Sequence, residues 1–151
     1  MFRGNHPAKI DEKGRLKMPA AFKQQMDAQN VTQFFVTSTT GKRAEVYPMP
    51  EWEKREQLLA RASALDPAVE QYLNVVNYYG QQVEMDNQGR LLLPQILRGK
   101  AQLDAEVNVN VMGMGTFLVV HNQVLFEQEM PVNGLSDESR MRVASILTPQ
   151  S

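Results

Sequence analysis

The chain has no cysteine among its 151 residues. That absence excludes disulfides, thiolate zinc sites, iron–sulfur clusters and cysteine nucleophiles together. It also fits a reducing compartment. Histidine is nearly as scarce. His6 and His121 are the two, and neither stands near a second His, Asp or Glu at helical ligand spacing, so no metal site is expected. No stretch approaches 18 consecutive apolar residues, which excludes a transmembrane helix and leaves no membrane partner to expect. The N-terminus, MFRGNHPAKIDEKGR, lacks the apolar core of a secretory signal, so a cytoplasmic protein is expected. Neither G-x-S-x-G nor G-x-x-x-x-G-K-S/T occurs. Gly113-Met114-Gly115 is too short for a dinucleotide fingerprint and reads as a hairpin turn. Nothing supplies a nucleophile or a cofactor cradle, so neither a cofactor nor a small-molecule substrate is expected.

What is present is ordinary globular composition, 42% hydrophobic and 22% charged, which argues against a disordered chain. This length suits one domain or a compact pair of small halves, burying roughly 70% of the unfolded surface without a staple. The net charge of −1 hides an asymmetry. Residues 1–43 hold eight basic and three acidic residues, a balance of +5, whereas the remainder stands at −6. A local basic surface is therefore compatible with an acidic whole.

The chain also contains an internal repeat. AKIDEKGRLKMPAAFK at residues 8–23 returns as VEMDNQGRLLLPQILR at residues 83–98. A shift of 75 superposes Asp11 on Asp86, Gly14 on Gly89, Arg15 on Arg90, Leu16 on Leu91 and Pro19 on Pro94. Lys23 then falls on Arg98. With a shift of 74, Val46-Tyr47-Pro48 and Trp52 fall opposite Val120-His121-Asn122 and Phe126. Two copies of a unit of about 55 residues imply pseudo-two-fold symmetry, since a solenoid needs three or more. The expected division is a first repeat over 1–54, a helical insert over 55–79, a second repeat over 80–130 and a C-terminal tail over 131–151.

Each copy reads locally. His6–Ile10 and Arg15–Met18 read as short strands about a turn at Asp11–Gly14, where Asp bonds its own backbone and Gly supplies a positive φ. Pro19 opens a short helix. Phe34–Val36 and Glu45–Tyr47 pair about the turn Thr39–Lys42. In the second copy the strands are Val83–Met85, Arg90–Leu93, Val107–Met112 and Phe117–His121, with a helix from Pro94. The insert predicts one helix from Pro50 through about Ala64, with Trp52, Leu59 and Ala62 on one face. A second, capped by Asp66 and ended by Gly80, carries Val69, Tyr72, Leu73 and Val76 at helical spacing. The Tyr78-Tyr79 pair suits core or interface better than base stacking. Ser136 predicts the cap of a final helix through Leu147.

One polar constellation is duplicated, Asp-x-x-x-Arg at Asp11/Arg15 and Asp86/Arg90. One reading is structural: the carboxylate caps the turn and the guanidinium neutralises it. The other presents the arginines to an anion. A guanidinium grips phosphate, or the O6/N7 edge of guanine, with two parallel bonds. Lysines beside it contact backbone phosphate. Lys13 and Lys17 flank Arg15, whereas the second copy has Gln88 and Leu92 there and is less basic. Arg15 is the expected ligand contact, supported by Lys13, Arg3, Lys9 and Lys17. Asp11, Gly14, Asp86, Gly89 and Arg90 are expected to hold the turns.

MFRGNHPAKIDEKGRLKMPAAFK, the second copy MDNQGRLLLPQILR and the segment VYPMPEWEK together resemble the MraZ family, bacterial transcriptional regulators related to the AbrB-type transition-state regulators. The resemblance extends to about Met130. It implies an α+β, β-rich fold: a tandem AbrB-like, double swapped-hairpin β-barrel with pseudo-two-fold symmetry and peripheral helices. It further implies a ring-shaped homo-oligomer, associated with the nucleoid. Such a ring would bind direct repeats in double-stranded DNA upstream of the division and cell-wall gene cluster that contains its own gene. The family's Asp and Arg positions map onto Asp11, Arg15, Asp86 and Arg90. Two alternatives accompany this reading: a protein-interaction module of the antitoxin type, and an enzyme using Asp as base and Arg as electrostatic clamp.

Overall fold

Short apolar alternations separated by Asp-Gly and Thr-Gly turns produce strands, and the proline- and Asp-capped segments between them produce helices. The computed structural model describes residues 1–62 and 64–149; the expected first insert helix and the tail thus run in part over positions outside the described residues. The strands are β1 (Asn5–Lys9), β2 (Arg15–Lys17), β3 (Gln33–Thr37), β4 (Ala44–Pro48), β5 (Gln81–Glu84), β6 (Arg90–Leu92), β7 (Asn108–Gly113) and β8 (Leu118–Asn122). The helices are α1 (Ala20–Ala28), α2 (Met49–Ala60), α3 (Pro67–Tyr79), α4 (Gln95–Lys100), α5 (Gln123–Glu129) and α6 (Asp137–Leu147).

The fold is mixed α+β, and its strand pairs are antiparallel. Six strands form one sheet in the order β1-β7-β8-β4-β3-β5, and β2 and β6 form a separate two-stranded ribbon. Replacing each strand by its counterpart in the other repeat reverses this order and returns the same sheet. The local strand pairs β3–β4 and β7–β8 match the sequence reading. The other expectation, two strands paired about Asp11–Gly14, is corrected. β1 pairs with β7 and β2 with β6, leaving one isolated bridge between Ile10 and Leu16. Each turn thus hands the chain from one sheet to another, so both of its flanking strands bond to the opposite repeat. The sheet stays open, with β1 and β5 as its edges, and does not close into the expected barrel.

Alternation along the strands sorts two apolar layers. Phe34 and Val36 on β3, Val46 on β4, Val109 and Val111 on β7, and Leu118 and Val120 on β8 enter the main core. Leu16 and Leu91 close it from the ribbon, Phe22 and Met26 from α1, and Leu97 from α4. On the other face Phe35 and Tyr47 meet Trp52 of α2 and Val76 of α3. Phe35 stacks on Trp52 at 4.4 Å between ring centroids, and Tyr47 on Phe117 at 4.5 Å. The Tyr47 hydroxyl donates to the buried Glu45 carboxylate at 3.0 Å, and burial, with that carboxylate, pushes the phenol well above its ordinary pKa.

Helix ends follow local chemistry with three corrections. Asp66 caps α3, accepting from the Ala68 amide at 3.0 Å, and Ser136 caps α6, accepting from Ser139 at 3.2 Å. Pro19 and Pro94 sit at the N-cap, in extended conformation, rather than inside the first turn. The first insert helix stops at Ala60, short of Ala64, and Ala62 is exposed. Helical stability comes from burying a face, and Ala60, Arg61 and Ala62 are all exposed. Leu73, which shares the helical spacing of Val69, Tyr72 and Val76, is exposed; of the Tyr78-Tyr79 pair, Tyr79 packs against the main core as expected and Tyr78 is exposed.

Candidate nucleic-acid interface

The two Asp-x-x-x-Arg turns share one bonding pattern. Asp11 Oδ1 accepts from the Lys13 and Arg15 amides, both at 2.9 Å, and its Oδ2 accepts from Arg15 Nε at 2.7 Å. Asp86 does the same with the Gln88 and Arg90 amides at 2.9 Å and Arg90 Nε at 2.8 Å. Gly14 and Gly89 complete the turns at φ +82° and +75°, a region that favours glycine. Amide and guanidinium donors stabilise the carboxylate form, led by the amides of Arg15 and Arg90, and hold both aspartates below the ordinary range. Each arginine is anchored through Nε, a bond that leaves its two terminal nitrogens uncommitted to the turn carboxylate.

The ribbon then sets these turns side by side. In its register Arg15 faces Leu92, Leu16 faces Leu91 and Lys17 faces Arg90. Cross-strand neighbours share a face, so Leu16 and Leu91 point into the core while Arg15, Lys17, Arg90 and Leu92 form the outer surface. Two backbone bonds lock the turns to the opposite strand: the Met18 amide donates to the Gly89 carbonyl at 2.8 Å, and Leu93 to Gly14 at 3.1 Å. Lys17 directly opposite Arg90 is a like-charge pair, an arrangement that costs a sheet stability. The turn aspartates offset part of that charge, but each is already committed to its own arginine.

Two further cations belong here. The Arg98 guanidinium of α4 lies over Gly14, and the Lys23 stem of α1 lies over Gly89, so each turn is covered by a cation from the other repeat. Arg98 Nε is buried and donates no hydrogen bond to a described residue. Lys23 also pairs with Asp27 at 2.7 Å.

Comparison with known proteins decides the family. The family model for the MraZ protein, described as antitoxin-like, matches residues 1–74 and 80–140. A transcriptional regulator MraZ of Acidobacterium capsulatum is 54% identical over 144 residues, covering 95% of this chain and 97% of that protein. That of Koribacter versatilis is 52% identical over 132 residues, covering 86% and 88%. That of Neisseria meningitidis is 34% identical over 139 residues, covering 91% and 90%. The chain belongs to the MraZ family.

Within this MraZ family member the structure gathers some of the expected site residues and separates others. Arg15, Lys17 and Arg90 share the ribbon's outer face, and exposed Lys13 lies in the turn beside them. Lys9 precedes the first turn and pairs with Glu106 at 3.0 Å in solvent. Arg3 lies beyond the end of β1 opposite to Lys9, its backbone against Gly113. Arg90 stands level with Lys17, although its own copy has lost both flanking lysines. Lys23 and Arg98 were not singled out by sequence. Their only signal was that they superpose on each other in the repeat. Among the described residues no group of three or more His, Asp or Glu side chains is arranged to hold a metal, and no helix is long and apolar enough to cross a membrane.

Proposed function

We propose that the outer face of the β2–β6 ribbon is the DNA-reading surface of a sequence-specific transcriptional regulator. The observation that carries this reading is the like-charge face itself, Arg15, Lys17 and Arg90 on one ribbon beside Lys13, Lys23 and Arg98. A two-stranded ribbon fits the major groove. There the arginine forks would meet guanine edges or phosphate, exposed Leu92 would meet a thymine methyl group, and the lysines would meet backbone phosphates. The aspartates act as positioning residues that aim the forks. The exchange of strands between repeats supports the tandem swapped-hairpin reading, with 1–54 and 80–130 as the two AbrB-like halves around the 55–79 insert.

One ribbon reaches only a few phosphates, so a single site binds weakly and loses affinity steeply with salt. A ring-shaped homo-oligomer presents several ribbons to direct repeats, and linkage through effective concentration raises overall affinity. The operator in this reading lies upstream of the division and cell-wall cluster that holds its own gene. The antitoxin-like description of the family favours a second reading, in which the same chain also masks a protein partner; co-purification of one partner from the source cell would support it.

Fluorescence anisotropy tests the main reading, using DNA from the chain's own upstream region, a scrambled control and two salt concentrations. Repeat-dependent, salt-sensitive binding that Arg15→Ala abolishes in a folded protein is the expected result. Equal binding to both DNAs, or full binding by Arg15→Ala, would overturn it.

A further inference from the structure

The repeat provides an internal control for a second site. Behind the turn after β3, a hollow of about 410 Å³ opens between residues of both repeats, lined among others by Lys42, Arg43, Lys100, His121, Phe126 and Glu129. Its counterpart, behind Gly115, measures about 80 Å³. Lys100 there becomes Gln25, Lys42 becomes Thr116, and Met1 and Phe2 occupy the rim. The same backbone frame thus yields one hollow with three cations against one acid and another with a single acid, Glu51. The larger lies in the range of small-molecule pockets, about 300–1,000 Å³.

The cations are placed, not merely exposed. Gly41 has φ +75°, and a Cβ there would meet the Lys100 stem at 3.0 Å and the Tyr79 hydroxyl at 2.7 Å. Glycine therefore lets the Lys100 stem lie down against the turn that carries Lys42 and Arg43. Arg43 Nε is buried and makes no hydrogen bond among the described residues. Glu45 Oε2, its ion-pair partner, is 4.0 Å away and already accepts from the Thr39 amide at 2.7 Å and hydroxyl at 3.0 Å. The carboxylate thus does not bond the buried Nε, and the exposed part of the guanidinium keeps its charge for an acceptor in the hollow. His121 stacks on Phe126 at 4.1 Å and forms an apolar wall. Burial, and then the nearby Arg43 charge, lower the His121 pKa against the opposing pull of Glu129, which favours the neutral ring.

We propose that this hollow is a ligand site for a small organic anion, its phosphate or carboxylate group held by Arg43, Lys42 and Lys100 and its apolar part against Phe126. The site lies apart from the ribbon residues and does not depend on DNA binding.

The probes are phenyl phosphate and benzoate, which separate the two anionic groups, titrated into the full-length protein. Calorimetry and the imidazole NMR signals of His121 and His6 are the readouts. The expected result is saturable binding of at least one probe, with His121 shifting, its titration moving to higher pH, and His6 unmoved. Lys100→Gln, which installs the residue of the counterpart hollow, and Arg43→Gln should each weaken binding about tenfold. Arg15→Ala should leave it unchanged. Backbone amide spectra confirm that each variant is folded, and Lys42→Gln replaces Arg43→Gln if that protein fails to fold. Absence of saturable binding of both probes below about 10 mM would overturn the proposal. So would binding retained in the pocket variants, or binding that only Arg15→Ala removes.

Discussion

At the scale of single residues, the aspartates of the two turns govern how the arginines are held. Their carboxyls titrate below the ordinary 3.8 because turn amides and Arg Nε bond the charged form. A carboxyl depressed in the folded state contributes its stabilisation above the unfolded pKa and loses it as pH falls through the folded value. The turns should therefore stay ordered at pH 5 and loosen only below about pH 4. Carboxyl-detected NMR should place both midpoints below 3.8, and a value at or above it for either would contradict the bonding described. The glycine between Asp and Arg is equally constrained. Gly14→Ala must hold an alanine at φ +82° and displace the Arg98 guanidinium, so it should cost about 1–2 kcal/mol in denaturant unfolding and weaken DNA binding as well. Lys17→Ala should flatten the salt dependence of DNA binding by roughly one unit of slope at most; an unchanged slope would remove Lys17 from the interface.

At the scale of elements, the ribbon trades stability for charge. Lys17→Thr removes the like-charge opposition to Arg90 and installs a good strand former. It should raise unfolding stability by a few tenths to about 1 kcal/mol while lowering DNA affinity. Gains in both would argue that the ribbon is not built for an anion. Opposite the ribbon, Trp52→Ala should cost about 3–5 kcal/mol, since it removes the ring that pins α2 on Phe35 and Tyr47. Elements of this kind were legible in the sequence to different degrees. The turns were, because Asp and Gly encode them within five residues. So were the caps of α3 and α6, which need only a side chain and an amide two or three residues on. The partners of β1 and β2 were not legible from periodicity, which records which face is buried and not which strand lies alongside. For the same reason the role of Lys23 and Arg98 at the turns was not legible. Each serves a turn of the other repeat, far along the chain, and no local pattern marks that.

At the scale of the whole molecule, charge segregates by surface. The acidic surplus lies beyond residue 43, yet Arg90 and Arg98 return from that half to join the basic ribbon. Helix α6 buries no residue and exposes Met141, Ile146 and Leu147. Truncation after Met130 should therefore leave the unfolding midpoint of the remaining chain unchanged at fixed protein concentration. A marked drop, read with size-exclusion chromatography, would show that α6 stabilises an assembly.

The interleaving of repeats also has a consequence during synthesis. β1 leaves the ribosome some hundred residues before β7, its strand partner in the sheet. At about 5–20 residues per second the nascent segment waits roughly 5–20 s for that partner. In the interval β3–β4 can close first, then β3–β5 and β2–β6, while β1 still waits. The basic N-terminal strand thus spends its first seconds unpaired, in reach of any polyanion nearby. A nascent chain arrested before Asn108 should show β1 amides exchanging with solvent as freely as an unfolded peptide.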